Sequence, residues 1–189
     1  MALEAEIKLK VTDRDTLIRK LEQQGFTEGE TLLESDVYFT AEHHDFRKLD
    51  QALRIRSVQN LSTGEKLAQI NFKGAKADDW SVSRKELETA VADADILQEI
   101  LEATGFVPAE PVRKQRTEYY SGRMTACVDT VEGLGDYFEL EILVSEEKER
   151  AQALSEISQM LRKLGYSKEE VIRTSYLSML MEQKSRHEP

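Results

Sequence analysis

The chain has 189 residues, with 26 Lys or Arg against 36 Asp or Glu, so its formal net charge is −10. Proteins that bind nucleic acid nonspecifically usually carry a basic surface, so this balance argues against a nucleic-acid partner while leaving room for a local cationic site. No run approaches the roughly 20 apolar residues of a membrane-spanning helix, so we expect no membrane partner either.

The N-terminus lacks a basic stretch followed by an apolar one, which predicts a cytoplasmic protein. Cys127 is the single cysteine, so neither an internal disulfide nor a cysteine zinc site can form. A free, buried thiol is the expected state of such a residue.

The predicted elements alternate between short β-strands and amphipathic helices along the chain. A strand at about 3–11 precedes a helix over 17–26. Four strands follow, at about 33–39, 52–60, 66–73 and 82–88. A second helix over 96–106 leads to three more strands, at about 112–120, 124–130 and 136–144. A third helix over 157–166 and a last helix at about 174–184 complete the order.

The first three helices share one pattern at their C-terminal ends, an apolar repeat that ends in Gly plus an aromatic residue. Gly25, Gly105 and Gly165 occupy the position where a helix commonly ends in a left-handed residue. Asp13 and Asp93 are suitable N-caps for the first two helices. Residues 1–184 therefore form one predicted domain, and 185–189 form a frayed tail.

Eight antiparallel strands can close into a barrel. The predicted fold class is therefore α+β, with an eight-stranded antiparallel closed β-barrel and helices packed outside it. Pro108 and Pro111 mark a junction between the two structural halves, without separating them into domains.

Charge alternates with apolar character along the predicted strands. Because successive side chains on a strand point to opposite faces, this alternation predicts one apolar face and one charged face. The charged face holds eight cations and eight anions: Lys8, Lys10, Arg54, Arg56, Lys73, Arg84, Lys114 and Arg116, with Glu4, Glu6, Glu86, Glu88, Glu118, Asp129, Glu139 and Glu141.

An ordinary sheet with one face in water explains such alternation in any single strand. A solvated face would usually also carry Thr, Ser, Gln and Asn, and it has no need of Arg. The repeated charges therefore favour a barrel whose interior is polar and whose apolar face packs on helices. Unpaired charges are costly inside a protein, so such an interior calls for water, ions or a polyanionic ligand.

The types of charge indicate which ligand fits. Arg and Lys from several strands suit a chain of phosphates. Carboxylates at i and i+2 on a strand, such as Glu4 with Glu6 and Glu139 with Glu141, point the same way and can share a hard cation. The combination predicts a site for a metal-bound triphosphate.

These residues resemble the CYTH proteins, also called triphosphate tunnel metalloenzymes. Glu4-Ala5-Glu6-Ile7-Lys8 matches their N-terminal E-x-E-x-K motif. The remaining motifs follow in the family's order: Asp36-Val37-Tyr38-Phe39, Ala52-Leu53-Arg54-Ile55-Arg56, Phe72-Lys73-Gly74, Arg84-Lys85-Glu86-Leu87-Glu88, Lys114-Gln115-Arg116, Val128-Asp129, and Gly133-Leu134-Gly135 to Glu139-Leu140-Glu141. The loop 43–50 followed by Ala52 to Arg56 is more like the class IV adenylyl cyclase branch.

The resemblance implies a role for most of the charged face. The phosphates would be bound by Lys8, Arg54, Arg56, Lys73, Lys114 and Arg116. One or two Mg2+ or Mn2+ ions would be bound by Glu4, Glu6, Asp129, Glu139 and Glu141. Those five acids with Lys8 form the expected catalytic set. Arg84, Glu86 and Glu88 would lie in the tunnel wall without an assigned role.

The resemblance supports three functions. The first is adenylyl cyclase activity, which converts ATP to cyclic AMP and pyrophosphate. The second is hydrolysis of inorganic or thiamine triphosphate, and the third is non-catalytic binding of triphosphate or polyphosphate. The acidic motif argues against the third, because a pure anion binder gains nothing from carboxylates unless a metal bridges them. Family members are often dimers, so a homodimer is the assembly that the resemblance suggests.

Several residues are left with structural interpretations. Lys10 and Glu118 share the charged parity and are expected in wall ion pairs. His43 and His44 lie in a polar loop and are expected to be solvated, with contact to a nucleobase or proton transfer as the alternative. Tyr38 and Trp80 are expected in packing, and Tyr176 near the last helix is a candidate cap of the tunnel.

Overall fold

The structure is a computed structural model that describes residues 2–186. Its strands are β1 (Ala2–Lys10), β2 (Thr27–Ala41), β3 (Ala52–Asn60), β4 (Lys66–Lys76), β5 (Arg84–Ala90), β6 (Phe106–Pro108), β7 (Val112–Ser121), β8 (Met124–Val131) and β9 (Gly135–Val144). Its helices are α1 (Arg14–Gln23), α2 (Ala94–Ala103), α3 (Glu147–Lys163) and α4 (Tyr176–Ser185), with a short 3-10 helix at Lys168–Glu170.

Eight of the strands form a closed antiparallel barrel. The pairing order is β3, β4, β5, β1, β9, β8, β7, β2, and β2 then pairs with β3 to close the ring. Closure leaves no free edge in the ring, which removes the usual route to edge-to-edge aggregation. The predicted eight-stranded barrel is therefore confirmed.

The ninth strand, β6, pairs with β2 at Phe39–Ala41, beyond the part of β2 that pairs with β7. The predicted helix over 96–106 overlaps this strand at Phe106, but α2 ends at Ala103 and Gly105 has a φ of 95°. A left-handed residue stops a helix. The chain then continues as an extended segment that joins the sheet.

Two elements begin well before the residues at which their patterns predict them to begin. β2 begins at Thr27, because the exposed residues before Leu32 pair with β7 across a register shift between Glu28 and Thr31. α3 begins at Glu147, where the side chains of Glu146 and Glu149 form a reciprocal capping box. The added part of β2 is mostly exposed, and the first turn of α3 is charged and largely exposed, so hydrophobic periodicity does not mark where either element begins.

The predicted helix ends are otherwise confirmed. Asp13 accepts a hydrogen bond from the backbone N–H of Thr16 at 3.0 Å and begins α1. Asp93 does the same for Ile96 at 3.0 Å and begins α2. The glycines that follow α1 and α3 both have positive φ, as their positions predict.

The hydrophobic core lies outside the barrel, between the outer face of the sheet and helices α1 and α3. Ile7, Leu140 and Ile142 of the sheet are fully buried against Leu21 of α1 and Ile157 of α3. The apolar parity of the strands therefore faces the helices. The charged parity must face the interior of the barrel.

A second, smaller core closes one end of the barrel. There α4 packs over Val112, Val131 and Tyr137, and the buried residue of α4 in this cluster is Tyr176. α4 reaches Ser185 with Arg186 as its C-cap. The domain boundary at residue 184 and the frayed tail after it stay predictions. Residues 187–189 of that predicted tail lie outside the described residues.

Within residues 2–186, no helix has the length and apolar character that crossing a membrane requires. Cys127 is a free cysteine and is fully buried, as predicted. Burial raises the pKa of its thiol well above the ordinary value, so the residue behaves as a small core side chain.

Candidate active site in the barrel interior

The barrel encloses a cavity of about 1650 Å³. This volume exceeds the ~300–1,000 Å³ of most small-molecule pockets, so a nucleotide or a similar elongated anion fits inside. The predicted site residues that line it are Glu4, Glu6, Lys8, Arg54, Arg56, Lys73, Arg84, Glu86, Glu88, Lys114, Arg116, Glu139 and Glu141. The single predicted site residue outside this lining is Asp129.

Strand register brings these side chains together from distant parts of the chain. Glu6 lies directly opposite Glu141, and Lys8 lies opposite Glu139, across the β1–β9 pair. Side chains directly opposite on antiparallel strands are close neighbours on the same face. The pairing therefore builds one continuous wall of acids and cations from the two ends of the sequence.

Asp129 lies behind this wall, where it binds two of the cations. Arg116 donates from Nε to Asp129 Oδ1 and from Nη2 to Oδ2, both at 2.7 Å, and Lys114 Nζ donates to Oδ2 at 3.0 Å. Arg116 also pairs with Glu139. Burial alone would raise the pKa of Asp129, but the two cations outweigh burial and lower it. Asp129 is fully buried and orients Arg116 and Lys114 toward the cavity.

Two acids on β2, Asp36 and Glu34, also bind and orient cations of the cavity wall. The sequence pattern had assigned neither of them a role. Asp36 accepts hydrogen bonds from Arg56 Nε at 2.7 Å and from Arg54 Nη1 at 2.9 Å. Glu34 lies 3.1 Å from Arg56 Nη1 and 3.2 Å from Lys114 Nζ. The signal was present, because residues 34 and 36 alternate with apolar and small residues in the predicted strand 33–39.

A cluster of acids around Lys73 forms the opposite part of the wall. Lys73 Nζ lies 3.3 Å from Glu4 and also pairs with Glu86. Burial and the charges of Glu139 and Glu4 raise the pKa of Glu6 to about 8. Burial and the charge of Glu4 also raise the pKa of Glu141 well above its ordinary value. These carboxylates lack the positive charge that would let all of them ionise together.

Glu86 and Glu4 differ although both contact Lys73. Burial raises the pKa of Glu86 to about 7, since the charge of Lys73 compensates only part of the cost. Burial would raise the pKa of Glu4 too, but Lys73 and hydrogen bonds hold it below the usual range. Lys73 therefore provides enough positive charge to keep Glu4 ionised but not enough to do the same for Glu86.

Mutual repulsion also affects the cations. Burial lowers the pKa of Lys8, and the nearby charges of Lys114 and Lys73 add to the effect, against the attraction of Glu139 and Glu6. An anionic ligand placed among these lysines would relieve that repulsion. The cavity thus has cations that favour an anion and acids that favour a cation.

The segment before α4 closes one end of the cavity. Lys8 Nζ donates to the backbone carbonyl of Thr174 at 2.6 Å. The ring of Tyr176 lies 4.5 Å from Lys8 Nζ and 5.5 Å from Lys114 Nζ, and its hydroxyl donates to Asp129 Oδ2 at 3.1 Å. The interpretation of Tyr176 as a cap of the tunnel agrees with this placement.

Other predicted residues fall at the ends of the barrel. Lys10 is exposed, and its ammonium donates to the carbonyl of Leu134 and lies 4.5 Å from the ring centroid of Tyr137. Among the described residues no ion pair of Lys10 is formed, so the prediction of a wall ion pair is wrong for it. Glu118 lines the cavity and accepts a hydrogen bond from the Tyr120 hydroxyl instead of pairing with a cation.

Arg84 and Glu88 have structural contacts inside the cavity. Arg84 Nη1 donates to the carbonyl of Gly74 at 3.3 Å, and Glu88 accepts from Asn71 Nδ2 at 2.7 Å. Asn71 is itself fully buried and holds Arg54 Nε at 3.4 Å. These residues support the wall between β3, β4 and β5.

The aromatic and histidine residues divide between the cavity and the surface. Tyr38 lines the cavity and its hydroxyl accepts from Arg54 Nη1 at 3.4 Å. Neither His43 nor His44 is among the described cavity-lining residues; His43 packs edge-on against Phe106, and His44 pairs with Gln51 at 2.8 Å. Trp80 packs outside the barrel, beneath the ammonium of Lys168.

The acids in the cavity match the ligand chemistry of a divalent cation. Across residues 2–186, no three His, Cys, Asp or Glu side chains converge as a preformed metal centre, because Lys73 and Arg116 bind several of the acids. Hard cations such as Mg2+ and Mn2+ take carboxylate oxygens as ligands. Glu4, Glu6, Glu139 and Glu141 offer those oxygens. Burial and the charges of Glu139 and Glu4 raise the pKa of Glu6, and a cation placed among these acids would offset both effects. The residues present fit such an ion.

Comparison with known proteins places this barrel in a family. A model of the CYTH domain matches residues 2–176. A protein of Methanocaldococcus jannaschii, named provisionally as an adenylate cyclase, is 35% identical over 94% of this chain and 98% of its own length. The adenylate cyclase CyaB of Aeromonas hydrophila is 26% identical over 93% of this chain and 87% of its own.

Solved structures share the fold. The PH1819 protein of Pyrococcus horikoshii has a TM-score of 0.86 and 34% identity, with 95% of this chain and 99% of that chain covered. A Hippeastrum protein, described as having a dominant triphosphatase activity, has a TM-score of 0.67 and 21% identity over 97% and 96% of the two chains, which shows the fold alone. The family match spans the whole barrel with its charged interior, and the chain therefore belongs to the CYTH domain family.

Proposed function

We propose that this protein is a divalent-metal-dependent enzyme that acts on a triphosphate inside the barrel, and that its reaction is the conversion of ATP to cyclic AMP and pyrophosphate. The observation that carries the proposal is the wall of paired charges. Buried cations from β1, β3, β4 and β7 share one cavity with carboxylates from β1 and β9, and burial together with neighbouring carboxylates raises the pKa values of two of them, Glu6 and Glu141.

The cations supply binding and charge neutralisation for the phosphates. Arg54 and Arg56 are held by Asp36, and Arg116 and Lys114 are held by Asp129, so their donor groups are fixed before a ligand arrives. Preorganised donors stabilise charge that develops on a leaving group without further reorganisation. A departing pyrophosphate would be stabilised in this way by the lysine and arginine side chains.

The carboxylates that line the cavity are the proposed metal ligands. Glu4, Glu6, Glu139 and Glu141 would hold Mg2+ or Mn2+, which supplies a Lewis acid that neutralises phosphate charge and lowers the pKa of the attacking hydroxyl. A part for Asp129 in metal binding stays a prediction. Its contacts assign it first to orienting the cations.

Sequence similarity favours cyclase chemistry within this class. Two relatives that match over nearly their whole length carry adenylate cyclase names, one of them provisionally. Attack of the ribose 3′ oxygen on the α-phosphorus needs the nucleophile and the leaving pyrophosphate to be held in line. A tunnel with cations spread along its wall can hold an extended triphosphate in that way.

Hydrolysis of a triphosphate is the second candidate. The Hippeastrum protein of the same fold is described as having a dominant triphosphatase activity. Hydrolysis uses the same cations and metal ligands, with water attacking the terminal phosphorus in place of an internal hydroxyl. The two reactions thus differ in the nucleophile rather than in the residues that bind the phosphates.

The products formed from defined substrates separate the two reactions. Purified protein is incubated with Mg2+ or Mn2+ and either ATP, inorganic triphosphate or thiamine triphosphate, and the products are identified. Cyclic AMP with an equal amount of pyrophosphate supports the cyclase. Orthophosphate from inorganic triphosphate, without cyclic AMP from ATP, supports the triphosphatase. Metal-dependent binding without any turnover would contradict both and indicate a binding module.

A further inference from the structure

The end of the cavity opposite α4 is lined by aliphatic side chains. Leu32, Val58, Leu67 and Leu143, here called the aliphatic collar, all line the same cavity as the charged residues. Each stands two positions along its strand from an inward polar residue: Glu34, Arg56, Gln69 and Glu141. The strand alternation therefore turns all four collar residues inward.

Two of the four collar residues are highly exposed, and Leu32 and Val58 are partly buried. Leu67 has 62% of its surface accessible and Leu143 has 65%, the largest fractions among the exposed large hydrophobic residues described. Val58 and Leu67 lie directly opposite each other across the β3–β4 pair, so part of the collar is a continuous apolar surface. A ligand that reached the collar would bury this surface and gain stability from it.

Charge at this end disfavours an anionic partner for the collar. Arg116 lies directly opposite Leu32, and Glu4 lies directly opposite Leu143. The charged residues that line the cavity further toward this end are the acids Glu30, Glu88 and Glu118. Among the described lining residues on these strands, the cations stop at Arg56, Lys73 and Arg116. The triphosphate therefore belongs in the middle of the tunnel and beyond it.

The opposite end carries charges of both signs. Arg47, Lys76, Arg84 and Arg173 line the cavity there together with Glu42, Asp45 and Asp50, and Lys76 pairs with Asp50. The tunnel thus runs from an aliphatic end, through the paired charges, to an end of mixed charge. This arrangement matches a ligand with an apolar group at one end and a run of phosphates that lies among the paired charges.

We propose that the aliphatic collar binds the organic group of an organic triphosphate and that this group carries no negative charge. The proposal rests on the proposed function and narrows its substrate class, because inorganic triphosphate has nothing to place against the collar. Leu143 lies directly opposite Glu4 in the β1–β9 pair. The phosphate nearest to the organic group would therefore lie beside the acids assigned to the metal.

The test compares an organic with an inorganic triphosphate in one double variant, Leu67→Ser with Leu143→Ser. Both side chains are largely exposed, so the fold tolerates the change. The matched control is Leu33→Ser with Leu61→Ser, two exposed leucines outside the cavity lining. KM and kcat are measured with Mg2+ for ATP and for inorganic triphosphate, and calorimetry gives Kd for whichever is not turned over.

The collar variant is expected to raise KM or Kd for ATP about tenfold, and to leave the value for inorganic triphosphate within about twofold of the unmodified protein. The control should leave both values unchanged. An unchanged ATP value in the collar variant overturns the collar assignment while the proposed function stands, and so does an equal loss for both ligands. Failure of the unmodified protein to bind any triphosphate overturns the proposed function and the collar together.

Discussion

Asp36 and Arg56 form a two-pronged ion pair inside the barrel. Arg56 donates from Nε to Oδ1 at 2.7 Å and from Nη2 to Oδ2 at 2.8 Å. The same carboxylate receives Arg54, so one acid on β2 fixes two guanidinium groups of β3. Burial would raise the pKa of Asp36, but Arg54 and Arg56 lower it well below its ordinary value. Asp36 is therefore charged at every pH at which the protein is expected to work.

Asp36→Asn should destabilise the protein strongly, because it leaves the buried guanidinium of Arg54 without its carboxylate and that of Arg56 with Glu34 as its remaining partner. Removal of one partner of a buried pair costs about 3–5 kcal/mol. Denaturant unfolding without ligand measures this loss. Inorganic triphosphate should restore part of it, since the phosphates supply the missing negative charge.

The control for this variant is Glu156→Gln, which breaks the partly exposed pair between Glu156 and Arg123. A pair of that kind contributes about 1 kcal/mol or less. If Asp36→Asn lost as little free energy of unfolding as this control, the arginines would need no fixed partner. The proposal that Asp36 preorganises them would then be wrong.

The strand alternation of β1 was enough to predict which of its residues face the cavity. Glu4, Glu6 and Lys8 are separated by apolar residues in an unbroken strand, so their common face follows from the geometry of an extended chain. Asp36 could not be assigned to Arg56 in the same way. Their contact depends on the register of β2 against β3, which a single sequence does not contain.

Two residues of the predicted charged face, Lys10 and Asp129, are absent from the described cavity lining for a common physical reason. Lys10 and Asp129 have the predicted parity, but both lie toward the barrel end where Tyr137 packs against α4. The aromatic side chains fill the interior there, so Asp129 is sealed behind Arg116 and Lys10 is directed away from the cavity. The placement of these side chains depends on α4, whose Tyr176 contacts Asp129 from 47 residues further along the chain. The alternation of residues within a strand carries no information about that contact.

Glu141→Gln should abolish metal-dependent activity while leaving the metal-free fold unchanged. The pKa of Glu141 is already raised by burial and by Glu4, so the neutral amide resembles the form that the metal-free protein favours. Loss of a ligand is expected to lower activity about a hundredfold or more. Activity assays measure the loss of turnover, and calorimetric titration with Mn2+ measures the loss of metal affinity. Thermal unfolding in the presence of a chelator checks the metal-free fold.

Asp136→Asn is the control on the same strand, since Asp136 pairs with Thr130 and is not among the described cavity-lining residues. It should retain both activity and Mn2+ binding. If Glu141→Gln bound Mn2+ as tightly as the unmodified protein, Glu141 would not be a metal ligand. The acidic cluster would then be a structural feature of the wall.

Tyr176 should strengthen phosphate binding indirectly, by holding Lys8 and Lys114 in position beside its ring. Tyr176→Leu removes the aromatic face near Lys8 and Lys114, and a cation–π contact is worth about 0.5–2 kcal/mol. KM for the triphosphate is expected to rise about tenfold. Tyr176→Phe keeps the ring and loses only the hydrogen bond to Asp129, so its KM should rise less than about threefold.

Tyr137→Phe is the matched control for that pair of variants. The Tyr137 hydroxyl contacts Lys10 and Met179, both outside the described cavity lining, so the triphosphate KM should not change. Equal values of KM in Tyr176→Leu and the unmodified protein would show that Lys8 and Lys114 hold their positions without the ring.

Glu34 should make stability depend on acid pH. Burial would raise its pKa, but Lys114 and Arg56 outweigh burial and lower the pKa to about 2, against an ordinary value of 4.5. Because the folded state holds the charged form more strongly than the unfolded state does, the stability that Glu34 contributes is present above pH 4.5 and is lost as the pH falls toward 2. Urea unfolding at steps between pH 2 and pH 6 measures this dependence.

Glu34→Gln should be less stable than the unmodified protein at pH 6 and should lose less of its remaining stability on acidification. A variant whose free energy of unfolding falls with pH as steeply as that of the unmodified protein would mean that Lys114 and Arg56 do not lower the pKa of Glu34.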